Sequence, residues 1–271
     1  MKTYHILTGL PRSGSTVLAS ILNQHPEIFV TPTSPMIELI LSMKQICETN
    51  LAIKASFNED QVDHIIKSIS YSCWQHRSES IIIDKNRKWT EILLNSGSFE
   101  TIFDNDTKVI YTDRDLPSIM ASWATILQKT PENRAHHLSN SKTIDYALND
   151  FWKNSLKSLL DQKKLLLENK SKKDRHVLFI NYDSLINDAK TELSKIAEFL
   201  NLSSYDFQFE DIVNITEEND EFVWHLKDLH TIRPRLEKTC KHPKDVLGQI
   251  LFDHYSKLEK SYEFKNHDKI C

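Results

Sequence analysis

The stretch Tyr4-His-Ile-Leu-Thr-Gly9-Leu-Pro-Arg-Ser-Gly14-Ser-Thr-Val-Leu-Ala-Ser-Ile-Leu22 joins an apolar run, a glycine loop and a helical pattern. Tyr4–Thr8 is β-compatible and stops at Gly9. Val17, Leu18, Ile21 and Leu22 then recur at helical spacing until His25-Pro26, where proline ends the pattern. The unit is therefore strand, loop, helix. Only four glycines occur in the chain, Gly9, Gly14, Gly97 and Gly248, and two of them bracket this loop. A chain so sparing of glycine uses it where the backbone needs positive φ or close ligand approach.

Unpaired N–H groups and the helix dipole make such a loop an anion site. The spacing Gly9-x4-Gly14 matches the frame of a nucleoside-triphosphate loop, which needs lysine directly after the second glycine. Here that residue is Ser15, and the basic side chain has moved upstream to Arg12. The loop is poorly made for ATP or GTP hydrolysis. It suits a nucleotide whose 5′ end carries a shorter anion.

Outward from this unit, Ser80–Asp84, Lys108–Thr112 and His176–Asn181 read as three more buried strands. Residues 35–78 read as two polar-faced helices divided near Ser56–Asn58, with Asn58 as an N-cap. Leu116, Ile119, Met120, Trp123 and Leu127 form one helical stripe. Further helices are expected over 144–168, 189–202 and 244–260. Residues 129–143, including His136 and His137, read as an irregular, lid-like loop. Continuous apolar strands alternating with helices predict a P-loop-like α/β/α three-layer fold, with a central parallel sheet of four to five strands, as a single domain over 1–271.

The chain has 271 residues, 39% of them hydrophobic and 9% aromatic, enough for a sizeable core and against wholesale disorder. Its net charge of −4 and pI near 6.3 argue against a nucleic-acid binder, so an anionic ligand must be held by a local basic site. No run reaches the roughly 18 apolar residues of a membrane span, and no signal-peptide apolar region opens the chain. A cytoplasmic protein is expected. Cys47, Cys73, Cys240 and Cys271 lack zinc-ligand spacing and read as reduced thiols, with Cys47–Cys73 pairing left open. No metal site is expected.

Leu10-Pro-Arg-Ser-Gly-Ser-Thr-Val-Leu18 resembles the 5′-phosphosulfate loop of sulfotransferases, enzymes that use 3′-phosphoadenosine 5′-phosphosulfate (PAPS). About 100 residues later, Val109-Ile-Tyr-Thr-Asp-Arg114-Asp-Leu-Pro-Ser-Ile-Met-Ala-Ser122-Trp123 resembles the family's 3′-phosphate segment, an arginine after a strand and a serine eight residues on. Arg114 can offer a planar fork to a phosphate, and Asp115 can cap the next helix. Val177-Leu-Phe-Ile-Asn-Tyr182-Asp-Ser-Leu is a third, weaker match, in which the resemblance puts Tyr182 against adenine. The resemblance implies PAPS as co-substrate, with Arg12, Ser13, Gly14, Ser15 and Thr16 on the 5′-phosphosulfate and Arg114 and Ser122 on the 3′-phosphate. The acceptor is then a hydroxyl on a small molecule, glycan or peptide. Lys85, after Ile81-Ile-Ile-Asp84, is similar to the family's strand-end lysine that reaches the transferring sulfuryl group.

The general base is open. Cytosolic relatives carry histidine two residues after that lysine, where this chain has Arg87, which stays protonated. Thr31-Pro-Thr-Ser-Pro35 lacks the glutamate of tyrosylprotein sulfotransferases. Glu38, Asp84, His136 and His137 remain candidates. The late Arg-Lys-Gly of some relatives is absent; in the basic cluster His225, Lys227, His230, Arg233 and Arg235, either arginine could substitute. Two other functions stay in view. One is a P-loop kinase or nucleotidase with a degenerate loop, using Asp84 or Asp113 for Mg²⁺. The other is an inactive nucleotide-binding module of the same fold.

Overall fold

In a computed structural model, residues 2–94, 98–104, 106–129, 132, 143–169, 177–216, 218–237 and 241–262 are described. The first elements are β1 (Thr3–Gly9), α1 (Ser15–Leu22), β2 (Ile28–Thr33), α2 (Met36–Thr49), α3 (Leu51–Ser56) and α4 (Glu59–Cys73). There follow β3 (Ile81–Lys85), α5 (Trp89–Leu94), α6 (Ser98–Ile102), β4 (Val109–Asp113) and α7 (Leu116–Lys129). Next come α8 (Ile144–Phe151), a π-turn at Trp152–Leu156, α9 (Lys157–Asn169) and β5 (Val177–Asn181). The described residues close with α10 (Tyr182–Asn187), α11 (Ala189–Leu200), α12 (Asp220–Trp224) and α13 (Pro243–Tyr262).

The five strands form one parallel sheet in the order β2-β3-β1-β4-β5, with β1 at its centre. Side chains alternate across it with period two. Leu7, Val30, Ile83, Ile110 and Ile180 face Leu18, Ile21 and Leu22 of α1 and Leu193, Ile196 and Leu200 of α11. On the other face Ile6, Phe29, Ile82 and Val109 meet α2 and the α5–α6 region through Ile37, Ile40, Trp89 and Phe103. Tyr111 packs there with Leu116, Ile119 and Met120 of α7 and Leu247 and Tyr255 of α13. Burying such side chains is worth about 1.5–3 kcal/mol each, which fixes the register against one-residue slips. The architecture is α/β/α with a parallel five-stranded sheet.

Four strands coincide with the expected apolar runs; β2 does not. No strand is expected over 28–33, just after the helix stop at Pro26, yet β2 forms there as an edge strand, where Pro32 removes no ladder bond. Its pairing with β3 shifts register between Val30 and Thr33, at Pro32. The helical region 35–78 holds three helices rather than two, because the Asn50 side chain caps α3 by accepting from the N–H groups of Ala52 and Ile53. Asn58 caps α4 in a reciprocal box with Gln61. The stretch at 244–260 is broken at Gly248, whose φ of 74° interrupts α13. Cys47 and Cys73 are both free thiols, while Cys240 and Cys271 lie outside the described residues, as do His136 and His137. Among the described residues no helix is long and apolar enough to cross a membrane.

His5 is a polar core residue of β1, 3% exposed. Its Nδ1 accepts the Lys108 backbone N–H at 3.1 Å, which requires that nitrogen to be unprotonated. Burial, reinforced by the Lys108 charge, pushes its pKa down to about 4. The unfolded chain takes up this proton below about pH 6.5 and the folded one only near 4, so stability falls as pH drops through that window. The expected loss is about 3 kcal/mol by pH 4. Urea unfolding at pH 7.5, 5.5 and 4.5 measures it, and His5→Gln should flatten this contribution to the slope.

Candidate active site

The site lies beyond the carboxyl ends of β1, β3, β4 and β5, where an open α/β sheet binds ligands. β1 ends at Gly9, with φ 139°, so close to β4 that a Cβ there would meet the Thr112 carbonyl at 2.1 Å. The chain then turns through left-handed Arg12 (φ 60°) and Gly14 (φ 87°) into α1. Ser13 is buried, and its hydroxyl lies within hydrogen-bond distance of both the Leu10 carbonyl and Thr112 Oγ1, the latter at 2.7 Å. That side chain ties the loop to β4 and is turned inward. Gly14 supplies no side-chain cap and the first turn of α1 holds no acid, so the N–H groups there face the cleft uncapped. Ser15 and Thr16 line the cleft beside them.

Arg114 reaches this loop directly. It leaves the end of β4, is 8% exposed, and its Nη1 donates to the Arg12 carbonyl at 3.0 Å. Its guanidinium stacks over the Tyr182 ring, 4.2 Å from the centroid. Tyr182, at the start of α10, also covers Gly14, where a Cβ would meet the ring at 2.4 Å. Arg12 Nε donates to Ser122 Oγ on α7 at 3.1 Å, and Arg12 Nη1 donates to the Leu229 carbonyl at 2.5 Å. Residues 12, 14, 114, 122 and 182, separated by up to 170 residues of sequence, thus form one continuous surface.

Lys85 ends β3, paired in register with Leu7 of β1. It is 4% exposed, and its Nζ lies 2.6 Å from Glu218 Oε1. The Thr33 N–H donates to the same oxygen at 3.0 Å. Burial disfavours the ionised Glu218 carboxyl, yet Lys85, His230 and the Thr33 N–H outweigh it and hold the group below the ordinary range. Glu218 Oε2 lies 3.1 Å from His230 Nδ1, which also meets Asp220 Oδ1. Sequence reasoning missed Glu218 and Asp220 and noted His230 only as one of a basic cluster. They sit in a polar segment without periodicity, and Glu218 is 133 residues from Lys85.

Of the remaining candidates, Asp84, Glu38 and Asp113 lie outside the cleft. Asp84 alternates with Lys85 and faces the opposite side of the sheet, where it accepts from the indoles of Trp89 (2.8 Å) and Trp74 (3.2 Å). Burial raises its pKa to about 6, against the lowering effect of Ser34 and both indoles. Glu38 is exposed on α2 and pairs with Lys88. Asp113 is held by Lys163, with both carboxylate oxygens 2.7 Å from Nζ. Arg233 and Arg235 are exposed along the cleft rim; Arg235 sits 3.8 Å from Glu210, a loose surface pair worth at most about 1 kcal/mol. The cleft spans about 1110 Å³ and gathers Arg12, Lys85, Arg87 and Arg114 in a chain of net charge −4. That exceeds the 300–1,000 Å³ of an ordinary small-molecule pocket and leaves room for a nucleotide and a second substrate.

A model described as "Sulfotransferase family" matches residues 6–206, from β1 through α11. The chain belongs to the sulfotransferase family. Two solved structures share this sulfotransferase's fold at low identity. A sulfotransferase domain from the curacin biosynthetic pathway is 14% identical with a TM-score of 0.50, over 97% of this chain and 98% of the other. Retinol dehydratase, in complex with androsterone and inactive cofactor PAP, is 13% identical with a TM-score of 0.53, over 97% of this chain and 80% of the other. No curated protein matches the sequence. Nothing observed favours a kinase or nucleotidase: the two carboxylates that could serve Mg²⁺ in that role, Asp84 and Asp113, are held by indoles and by Lys163.

Proposed function

We propose that this sulfotransferase is PAPS-dependent and moves the sulfuryl group to a hydroxyl acceptor. The observation that carries this is the 3.0 Å contact between Arg114 and the Arg12 loop, which joins two basic turns at one end of the sheet into a single seat for a doubly phosphorylated adenosine. The residues fit that ligand. Uncapped N–H groups of α1, with Ser15, Thr16 and Arg12, suit the 5′-phosphosulfate. Arg114 and Ser122 suit the 3′-phosphate, and the Tyr182 ring, stacked on Arg114, suits the adenine. PAPS supplies the activated sulfuryl group. Lys85 places a positive charge at the end of β3, where it would offset charge developing on the sulfuryl and leaving oxygens. Arg233 and Arg235 at the rim could close over the nucleotide.

Incubation with ³⁵S-labelled PAPS in EDTA, against a panel of phenol, primary alcohol, glycan and tyrosine-peptide acceptors, tests this proposal. Labelled product that forms undiminished in EDTA is expected. Nucleotide binding without transfer to any acceptor would favour the inactive module, and metal-dependent cleavage of ATP would favour a kinase or nucleotidase.

A further inference from the structure

The segment 218–230 lies beyond the family match, yet it folds onto the strand-end lysine. Lys85, Glu218, His230 and Asp220 form one chain of contacts, with side-chain exposures of 4%, 8%, 18% and 10%. Asp220 grips His230 twice, through Nδ1 and through the backbone N–H at 2.8 Å, so the ring is fixed relative to α12. Asp220 is itself placed by Asn219, which caps α12 by accepting from the Phe222 N–H. The neighbouring Leu229 carbonyl accepts from Arg12, which ties this segment to the phosphate loop as well.

Two carboxylates on Nδ1 fix the proton there and leave Nε2 with its lone pair. His230 lines the same cleft as Lys85 and Arg12, and its Nε2 has no hydrogen-bond partner among the described residues. We propose that His230, oriented by Asp220 and Glu218, is the general base of the transfer, an inference that rests on the function proposed above. The acceptor oxygen bonds to sulfur as its proton passes to Nε2, and the bond from sulfur to the 5′-phosphate oxygen breaks, its electron pair leaving with the phosphate. Glu218 and Asp220 stabilise the imidazolium so formed, and solvent then takes the proton.

The arrangement supplies what Arg87 cannot, and Glu38 and Asp84 are held elsewhere. Burial lowers the basicity of His230, with Lys85 acting in the same direction and Glu218 and Asp220 opposing. The net effect keeps the ring neutral at pH 7, so transfer should lose rate only as pH falls below about 6.5. Donor atoms of Glu218, Asp220 and His230 lie within 4.8 Å of one another, a spacing that a metal ion could use, but the ammonium of Lys85 already provides the cation there.

The test uses the full chain with His230→Asn and His230→Gln, with PAP binding by calorimetry, single-turnover PAPS cleavage with 2-naphthol or water as acceptor, and the imidazole tautomer by nitrogen NMR. Both variants should bind PAP within about threefold of the parent and lose about 100-fold or more in turnover, with the acid limb of the pH profile gone. The parent should show the Nδ1–H tautomer at position 230. Variant turnover within fivefold of the parent, an unchanged acid limb, an Nε2–H tautomer, or zinc-stimulated turnover lost on substitution would each overturn the assignment of the base. Where neither acceptor gives measurable turnover, the tautomer decides. Failure of the parent itself to bind PAP would instead strike the broader function.

Discussion

Lys85→Ala should lower kcat by about 10²–10³-fold while PAP affinity changes little, the size of effect seen when one donor to a developing oxyanion is removed. Lys85 sits at the end of β3, away from the surface formed by Arg114 and Tyr182, so its loss should spare nucleotide binding. The substitution also removes the ammonium paired with Glu218, whose side chain is only 8% exposed. Glu218 keeps the Thr33 N–H and His230 but loses the lysine cation at that oxygen, so the variant should melt at a lower temperature as well. Thermal unfolding beside single-turnover PAPS cleavage, run well below the melting temperature of the variant, separates the two effects. Turnover close to the parent's under those conditions would show that Lys85 acts only through folding.

Arg114→Ala should weaken PAP by about 100-fold, the scale of one bidentate charge-assisted contact. AMP, which lacks the 3′-phosphate, should weaken far less, through loss of the tie between Arg114 and the Arg12 carbonyl and of the Tyr182 stack. The preference for PAP over AMP therefore collapses in the variant. Arg114→Lys keeps the charge but not the planar fork, and should fall between. Calorimetric titration of both nucleotides into the three proteins measures this. Equal weakening of PAP and AMP would move the 3′-phosphate away from Arg114.

What the sequence made legible follows from where the information lies. β1, its glycine loop and α1 are contiguous, and β3, β4 and β5 read as unbroken apolar runs because both sheet faces are covered. Arg114 could be singled out because it directly follows a strand, whereas Tyr182, also directly after a strand, was marked only by the family resemblance. β2 was obscured by Pro32, which only its edge position tolerates. Asp84 looked chemical because it neighbours Lys85, but strand alternation turns it to the opposite face and onto two indoles. Ser13 shares the loop with Ser15 and Thr16, and only the fold shows its hydroxyl spent on Leu10 and Thr112. The contact of Glu218 with Lys85, through which His230 and Asp220 join the site, depends on a long-range fold-back, and no local spacing in a polar segment encodes it.

The central claim is that the turns at Arg12 and Arg114 together seat a doubly phosphorylated adenosine, and thermal unfolding in EDTA tests it most directly. PAP at 100 times its Kd should stabilise the protein by about 2.7 kcal/mol, a rise in Tm of roughly 5–10 °C for a chain of this size. AMP in EDTA, and ATP with Mg²⁺ in a parallel run, should shift it far less at the same concentration. Stabilisation by ATP–Mg²⁺ equal to or greater than that by PAP would contradict the claim.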